Sequence, residues 1–201
     1  MLPRPISQPK QLVVEGADAQ RFFEAFMKAE GVLNVQVQNF GGNAELPGAL
    51  PALTKLSGFA EVVSLAVIRD AERDPAAAFQ SVCTTLEKAG LPRPGRAGEF
   101  ASGRPGIGVF ILPDAKSAGM LESLCLLSVA ADPALPCVHE LFGCLERAGV
   151  TAPTKMEKAR VRTFLASRPK PGLRLGEAAE AGIWPWNHPA LDEVRQFLRA
   201  L

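Results

Sequence analysis

Short apolar runs alternate along this chain with longer stretches of helical periodicity, and the alternation predicts most of its elements. "QLVVEG" (11–16) has the pattern of a short buried strand closed by a Gly. In "ADAQRFFEAFMKAEG", Phe22, Phe23 and Phe26 fall on one helix face and Gly31 supplies the stop. "VLNVQVQNFGG" (32–42) alternates Leu33, Val35 and Val37 with Asn34 and Gln36, the period of a second strand. "ELPGALPALTKLSGF" predicts a short helix broken by its prolines. "EVVSLAVI" (61–68) is apolar on both faces, which predicts the central strand of a covered sheet. "DPAAAFQSVCTTLEKAG" (74–90) then predicts a helix with Asp74 at its N-cap, Pro75 in its first turn and Gly90 at its exit.

A strand–helix order repeated three times implies right-handed crossovers in a parallel sheet with helices on its faces. The Gly- and Pro-rich segment "LPRPGRAGEFASGRPGIGVFILPD" predicts a loop or hairpin arm leading into a further strand, "IGVFIL". Beyond it the periodicity is helical, over 117–132, 137–148, 154–167 and 190–200. The expected fold is α/β: a parallel-core sheet flanked by helices over about 11–115, and a mostly helical C-terminal part over about 116–201.

Composition changes this picture little. At 201 residues, 47% hydrophobic and 21% charged, the chain has the profile of a globular protein able to bury a substantial core. Lys plus Arg is 22 and Asp plus Glu is 21, so the net charge of +1 gives no global argument for nucleic acid or membrane. "MLPRPISQPK" lacks the apolar core of a signal peptide, and no apolar run approaches the roughly 18 residues of a membrane span. Cys83, Cys125, Cys137 and Cys144 form no C-x-x-C pair, so a reducing cytoplasm is expected. Cys137, His139 and Cys144 sit in one amphipathic helical stretch, where the cysteines are expected to fill core rather than bind zinc. The glycines do not make G-x-x-x-x-G-K-[ST], so no phosphate-binding P-loop is supported.

Local charge is more informative. "VIRDAERDP" ends an apolar strand in three carboxylates, Asp70, Glu72 and Asp74, within five residues. In parallel α/β sheets ligands sit beyond the carboxyl ends of the strands, and Glu15 ends the first strand. If the first and third strands are neighbours, these acids converge on one edge, with Glu122 in "GMLES" as a fifth from a later helix. Crowded carboxylates suit a hard divalent cation, Mg²⁺ or Mn²⁺, which would also support phosphoryl transfer. Taken singly, Glu15 is an ordinary strand exit and Asp74 an ordinary helix cap.

"QLVVEGADAQRFFEAF" followed by "VVSLAVIRDAERDP" resembles the Toprim fold of primases, type II topoisomerases, small nucleases and OLD-family nucleases. The resemblance is closer to bacterial and archaeal Toprim-like proteins of unknown function, and extends to "GMLESLCLLSV", "KARVRTFLASRP" and "LGEAAEAGIWPWNHPALDEVRQFL". It implies that 1–201 is a single Toprim-like domain, with Glu15 as the family's general acid/base or metal ligand and Asp70 as the first Asp of its Asp-x-Asp. Glu72 stands where the second Asp is usual, and Asp74 is an auxiliary acid. Family members often carry an acid four residues after the first Glu; here that position is Ala19, with Asp18 one earlier. Glu122 resembles a later acid of nuclease-like relatives, and their late Lys makes Lys155 or Lys158 the candidate here.

The leading expectation is therefore a Mg²⁺-dependent nuclease that hydrolyses nucleic-acid phosphodiesters with water, since the chain has no Tyr for covalent strand cleavage. The alternative is a non-catalytic nucleotide- or nucleic-acid-binding protein, or a subunit acting with a second copy or another protein. "TKMEKARVRTFLASRPKPGLR" contributes basic charge, with Lys155, Lys158 and Arg162 at helical spacing, either as a phosphate-facing side or as a solvated one. "GIWPWNHP" offers Trp184 and Trp186 either for base stacking or, as expected more often, for pinning a C-terminal loop to the core. No Ser-His-Asp or Cys-His nucleophile motif accompanies His139 and His188.

Overall fold

The protein is described by a computed structural model covering residues 3–201, the Asn43 side chain excepted. Its elements follow in the order Lys10–Val14 (β1), Gly16–Ala29 (α1), Val35–Asn39 (β2), Leu46–Thr54 (α2), Ser64–Asp70 (β3) and Pro75–Lys88 (α3). Phe100–Ala101 (β4) and Gly106–Leu112 (β5) complete the strands. The C-terminal part is helical: Leu121–Ser128 (α4), Ala134–Arg147 (α5), Met156–Ala166 (α6), Leu175–Glu180 (α7) and Asp192–Ala200 (α8).

The five strands form one sheet in the order β2-β1-β3-β5-β4. β1 pairs in parallel with both β2 and β3, and β3 pairs in parallel with β5, while the short β4 is antiparallel to β5. Side chains alternate across the pleat, so each inner strand serves two cores. Leu12, Val14, Ala66, Ile68, Phe110 and Leu112 face α1 and the C-terminal helices, where Phe22, Phe23 and Phe26 pack. Val13, Leu65, Val67, Val109 and Ile111 face α2 and α3. That two-sided burial is why the strands read as continuous apolar runs.

Several boundaries differ from the expected ones, each for a local reason. β3 starts at Ser64 because 59–61 close into a 3₁₀ turn, and it continues to Asp70 because its ladder with β5 runs to Asp70↔Leu112. Residues 32–34 stay outside β2: Asn34 takes a left-handed φ of 61° and Leu33 is exposed. α2 runs through Pro51 rather than breaking there, and ends three residues later. The predicted 117–132 helix begins only at Leu121, because Asp114 Oδ1 accepts from the N–H groups of Lys116 and Ser117 and holds that stretch as a turn.

In α5 only Leu135 and Val138 are buried, so Cys137 and Cys144 are exposed and do not fill core as expected; Cys83 and Cys125 are buried. The helix meets the core along a narrow stripe, with Ala134 and Phe142 partly covered beside it, and Cys137 and Cys144 lie off that stripe. All four cysteines are free.

The C-terminal tryptophans act as pins. Trp184 is buried, donates from Nε1 to Leu175 O at 3.1 Å and stacks on Phe164. Trp186 packs on Phe22 and Phe26 of α1. Arg195 of α8 pairs with Glu30 at 3.0 Å, both largely buried, closing the C-terminal helix onto the end of α1. Among the described residues no helix is long and apolar enough to cross a membrane.

Candidate functional site

β1 and β3 are neighbours in register, with Val14 opposite Ile68, so their carboxyl ends open on one edge of the sheet. Chain geometry then delivers two acids there. Glu15 is the N-cap residue of α1, but its side chain makes no capping hydrogen bond. The turn is held instead by Gly16, whose φ of 84° a side chain would resist and whose N–H donates to Asn39 Oδ1 at 3.0 Å. Asp70, the last residue of β3, has the same parity as Ala66 and Ile68 and so faces the α1 side of the sheet. Its Oδ1 accepts from the Leu121 N–H, the first of α4, at 2.9 Å.

A pocket of about 150 Å³ lies at this edge, lined among others by Glu15, Asp18, Asp70, Glu122 and Lys158, over a floor of Val14, Phe23, Ile68 and Leu112. Burial pushes the Asp70 carboxyl up to about 7, with the charges of Glu15 and Glu122 adding to the rise; the Leu121 N–H and Lys158 oppose it. Burial likewise raises Glu15, opposed first by Arg69, with Glu72 adding and Lys158 and Lys155 opposing. Glu15 Oε2 is buried and has no hydrogen-bond partner.

The other predicted residues divide. Glu122, in the first turn of α4, lines the pocket and meets Lys158 Nζ at 3.5 Å. Glu72 is paired to Lys155, Oε1 to Nζ 2.6 Å, and acts on Glu15 through its charge. Asp74 stays outside the pocket lining and accepts from the Ala77 N–H at 2.9 Å, so its oxygen is spent on capping α3. Five carboxylates, Glu15, Asp18, Asp70, Glu72 and Glu122, thus stand at or beside this edge with Lys155 and Lys158, while Arg69 acts on Glu15 from the other face of β3, and two of the acids already hold a lysine. Among the described residues no three Asp, Glu, His or Cys side chains form a ready-made metal cage.

Two supporting features have no signature in the sequence. Glu72 takes a left-handed φ of 55° and exchanges both backbone hydrogen bonds with Gly119, at 2.8 and 2.9 Å. That bridge seats the start of α4, and with it the Leu121 N–H, beside Asp70. Arg69, on the opposite face of β3, donates to Ser81 Oγ at 2.8 Å and balances Glu15 electrostatically. Its position beside Asp70 was visible, but its relation to Glu15 required the strand pairing.

Among solved structures, the chain is similar to the C-terminal region of the Burkholderia pseudomallei OLD protein, at 14% sequence identity and a TM-score of 0.49, covering 97% of this chain and 98% of that one. No curated protein matches it. A family model matches residues 9–201, nearly the whole length, and the chain belongs to that family, DUF3226, described as a protein of unknown function.

Proposed function

We propose that this protein is a divalent-cation-dependent phosphohydrolase, most simply a small nuclease cutting nucleic-acid phosphodiesters with water. The observation that carries the reading is the pairing of Glu15 and Asp70 at adjacent parallel strand ends, where burial disfavours both charges and Glu15 Oε2 lacks a partner. A cation between them would relieve both costs.

The residues fit such an ion by their chemistry. Glu15, Asp70 and Glu122 offer only hard oxygen donors, and Mg²⁺ is typically held by one or two carboxylates, completed by water and substrate phosphate. Bound there, Mg²⁺ or Mn²⁺ would polarise a phosphate oxygen and lower the pKa of a water.

The chain's own groups have separate tasks. Glu15, at the exit of β1, has one carboxylate oxygen for the ion and a second to take or return the proton of an attacking water. Lys158, which faces both Glu15 and Asp70, balances their charge and meets the extra negative charge of the transition state. Lys155 does the same from the Glu72 side. Water is the natural nucleophile in a chain without tyrosine.

The test is cleavage of end-labelled single-stranded DNA and RNA by purified protein with Mg²⁺ or Mn²⁺. Activity lost in Glu15→Gln and in Asp70→Asn, with both variants folded, is expected; no divalent-dependent cleavage of either substrate would remove the enzyme reading.

A second reading is favoured by a specific observation. Glu72 and Glu122 already hold Lys155 and Lys158, the arrangement of a neutralised site that binds a phosphate-bearing ligand without cutting it. It predicts equal oligonucleotide binding with and without Mg²⁺, and no turnover.

A further inference from the structure

A second cavity, of about 440 Å³, adjoins the acidic pocket, and Asp18, Glu122 and Lys158 line both. It lies between α6 and the segment leading into α7. Its buried floor is Val161, Leu165 and Leu175, and its rim carries Arg162 and Arg174. Arg162 lies four residues after Lys158 on α6, so the two share one side of the helix.

Charge bookkeeping makes this rim available to an anion. Glu122 is answered by Lys158 at 3.5 Å, and Asp18 Oδ1 accepts from the Gly176 N–H at 3.2 Å. Among the described residues neither Arg162 nor Arg174 is in an ion pair, although Arg174 acts on nearby Glu177 through its charge; Arg168 is held by Asp132 at 2.9 Å and Arg21 by Glu177 at 3.0 Å. Two exposed guanidiniums therefore stand over an apolar floor, in direct continuity with the acids. Guanidinium groups bind phosphate through paired N–H donors, and an aliphatic floor suits the face of a base or sugar.

We infer that this second cavity holds one nucleotide of a single-stranded nucleic acid beside the bond at the acidic pocket. Its phosphate lies on Arg162 and Arg174, and its base or sugar lies on Val161, Leu165 and Leu175. The identity of the ligand rests on the phosphoester reading of the acidic pocket. The cavity has the size of a small-ligand site, which admits a splayed nucleotide and not a duplex.

Fluorescence anisotropy with a labelled eight-nucleotide oligo(dT) in EDTA tests the inference without any metal. The wild-type chain is expected to bind, with affinity falling as salt rises. Arg162→Gln/Arg174→Gln should weaken binding at least tenfold and flatten the salt dependence, by about 0.7 in log–log slope for each phosphate left without its cation. Arg162→Lys/Arg174→Lys keeps the charge but not the paired N–H donors, so it should keep the salt dependence and lose less affinity than the glutamine pair, which separates loss of charge from loss of fold. A blunt duplex of the same length should compete poorly.

Absence of wild-type binding, or unchanged binding in the double glutamine variant, overturns the inference, as does displacement by duplex at equal concentration. Arginine-dependent binding without any divalent-dependent cutting leaves the inference standing and removes the enzyme reading. Cutting with an oligonucleotide KM that ignores Arg162 and Arg174 does the reverse.

Discussion

Lys155 Nζ lies 2.6 Å from Glu72 Oε1, so the start of α6 is tied to the loop after β3 across 83 residues of chain. The hydrogen bond to Glu72 raises the lysine's pKa above its usual value, and the charges of Glu72, Asp70 and Glu15 add to it. Because the side chains are about half and one third exposed, solvent screens the pair and its contribution to stability is small. Lys155→Met is therefore expected to cost less than about 1 kcal/mol, a shift of a few degrees in Tm for a chain of this length. Its effect on divalent-dependent cleavage should be far larger, at least tenfold. A thermal melt beside a cleavage assay reads both, and a large loss of stability with little loss of rate would make the pair a structural tie only.

Asp70 gives the chain a distinctive pH dependence. Its folded-state pKa is raised from the ordinary aspartate value to about 7, so the folded protein binds more protons than the unfolded chain between the two values. The sign follows: its favourable contribution is complete below the unfolded pKa and is lost as pH rises through about 7. Asp70→Asn keeps the acceptor for Leu121 N–H and removes the charge. It should stabilise the metal-free protein by about 1–3 kcal/mol at pH 8 and by little at pH 4. Urea titrations of both proteins across that range measure it; an equal effect at both ends would show that Asp70 is not the responsible group.

Divalent cation should cancel that penalty. At ten times its Kd a cation that binds only the folded state adds about 1.4 kcal/mol, or roughly 3–6 °C in Tm. The shift is expected with Mg²⁺ or Mn²⁺ in the wild-type chain and absent in Glu15→Gln and Asp70→Asn. A shift that persists in both variants would place the ion elsewhere.

Gly119 is a position where a small change should be severe. Its φ is 144°, and a Cβ there would lie 2.8 Å from Ser123 Oγ and 3.1 Å from Pro113 Cδ. Gly119→Val is expected to destabilise the protein by about 2–4 kcal/mol through backbone strain and clash. It should also displace the bridge to Glu72 and the Leu121 N–H, so binding of divalent cation falls with it. Differential scanning calorimetry with and without Mg²⁺ checks both effects together.

The strands and most helices were legible because burial on two faces and helical periodicity leave marks on neighbouring residues. β1, α1, α3 and β5 lie close to where periodicity puts them. Glu15 and Asp70 were legible too, as acids at the exits of two apolar runs. Three things were not. The helix-start pattern marks Asp74 as the cap of α3, which it is, but nothing local marks the bridge of Glu72 to Gly119 or its pairing with Lys155. The exposed cysteines of α5 share an amphipathic pattern with buried ones, because periodicity does not say whether a partner surface exists. Arg69 and Arg174 are single charges whose meaning depends on elements far away in the chain.

By itself the sequence determined which segments become strands or helices and that acids stand at two strand ends, because those properties depend on residues a few positions apart. The tertiary structure alone decided that β1 and β3 are neighbours, that Leu121 donates to Asp70, and that lysines from α6 answer Glu72 and Glu122. Those relations join residues 36 to 83 positions apart, as in the Lys158–Glu122 and Lys155–Glu72 pairs, and Coulomb and hydrogen-bond energies depend on separation in space.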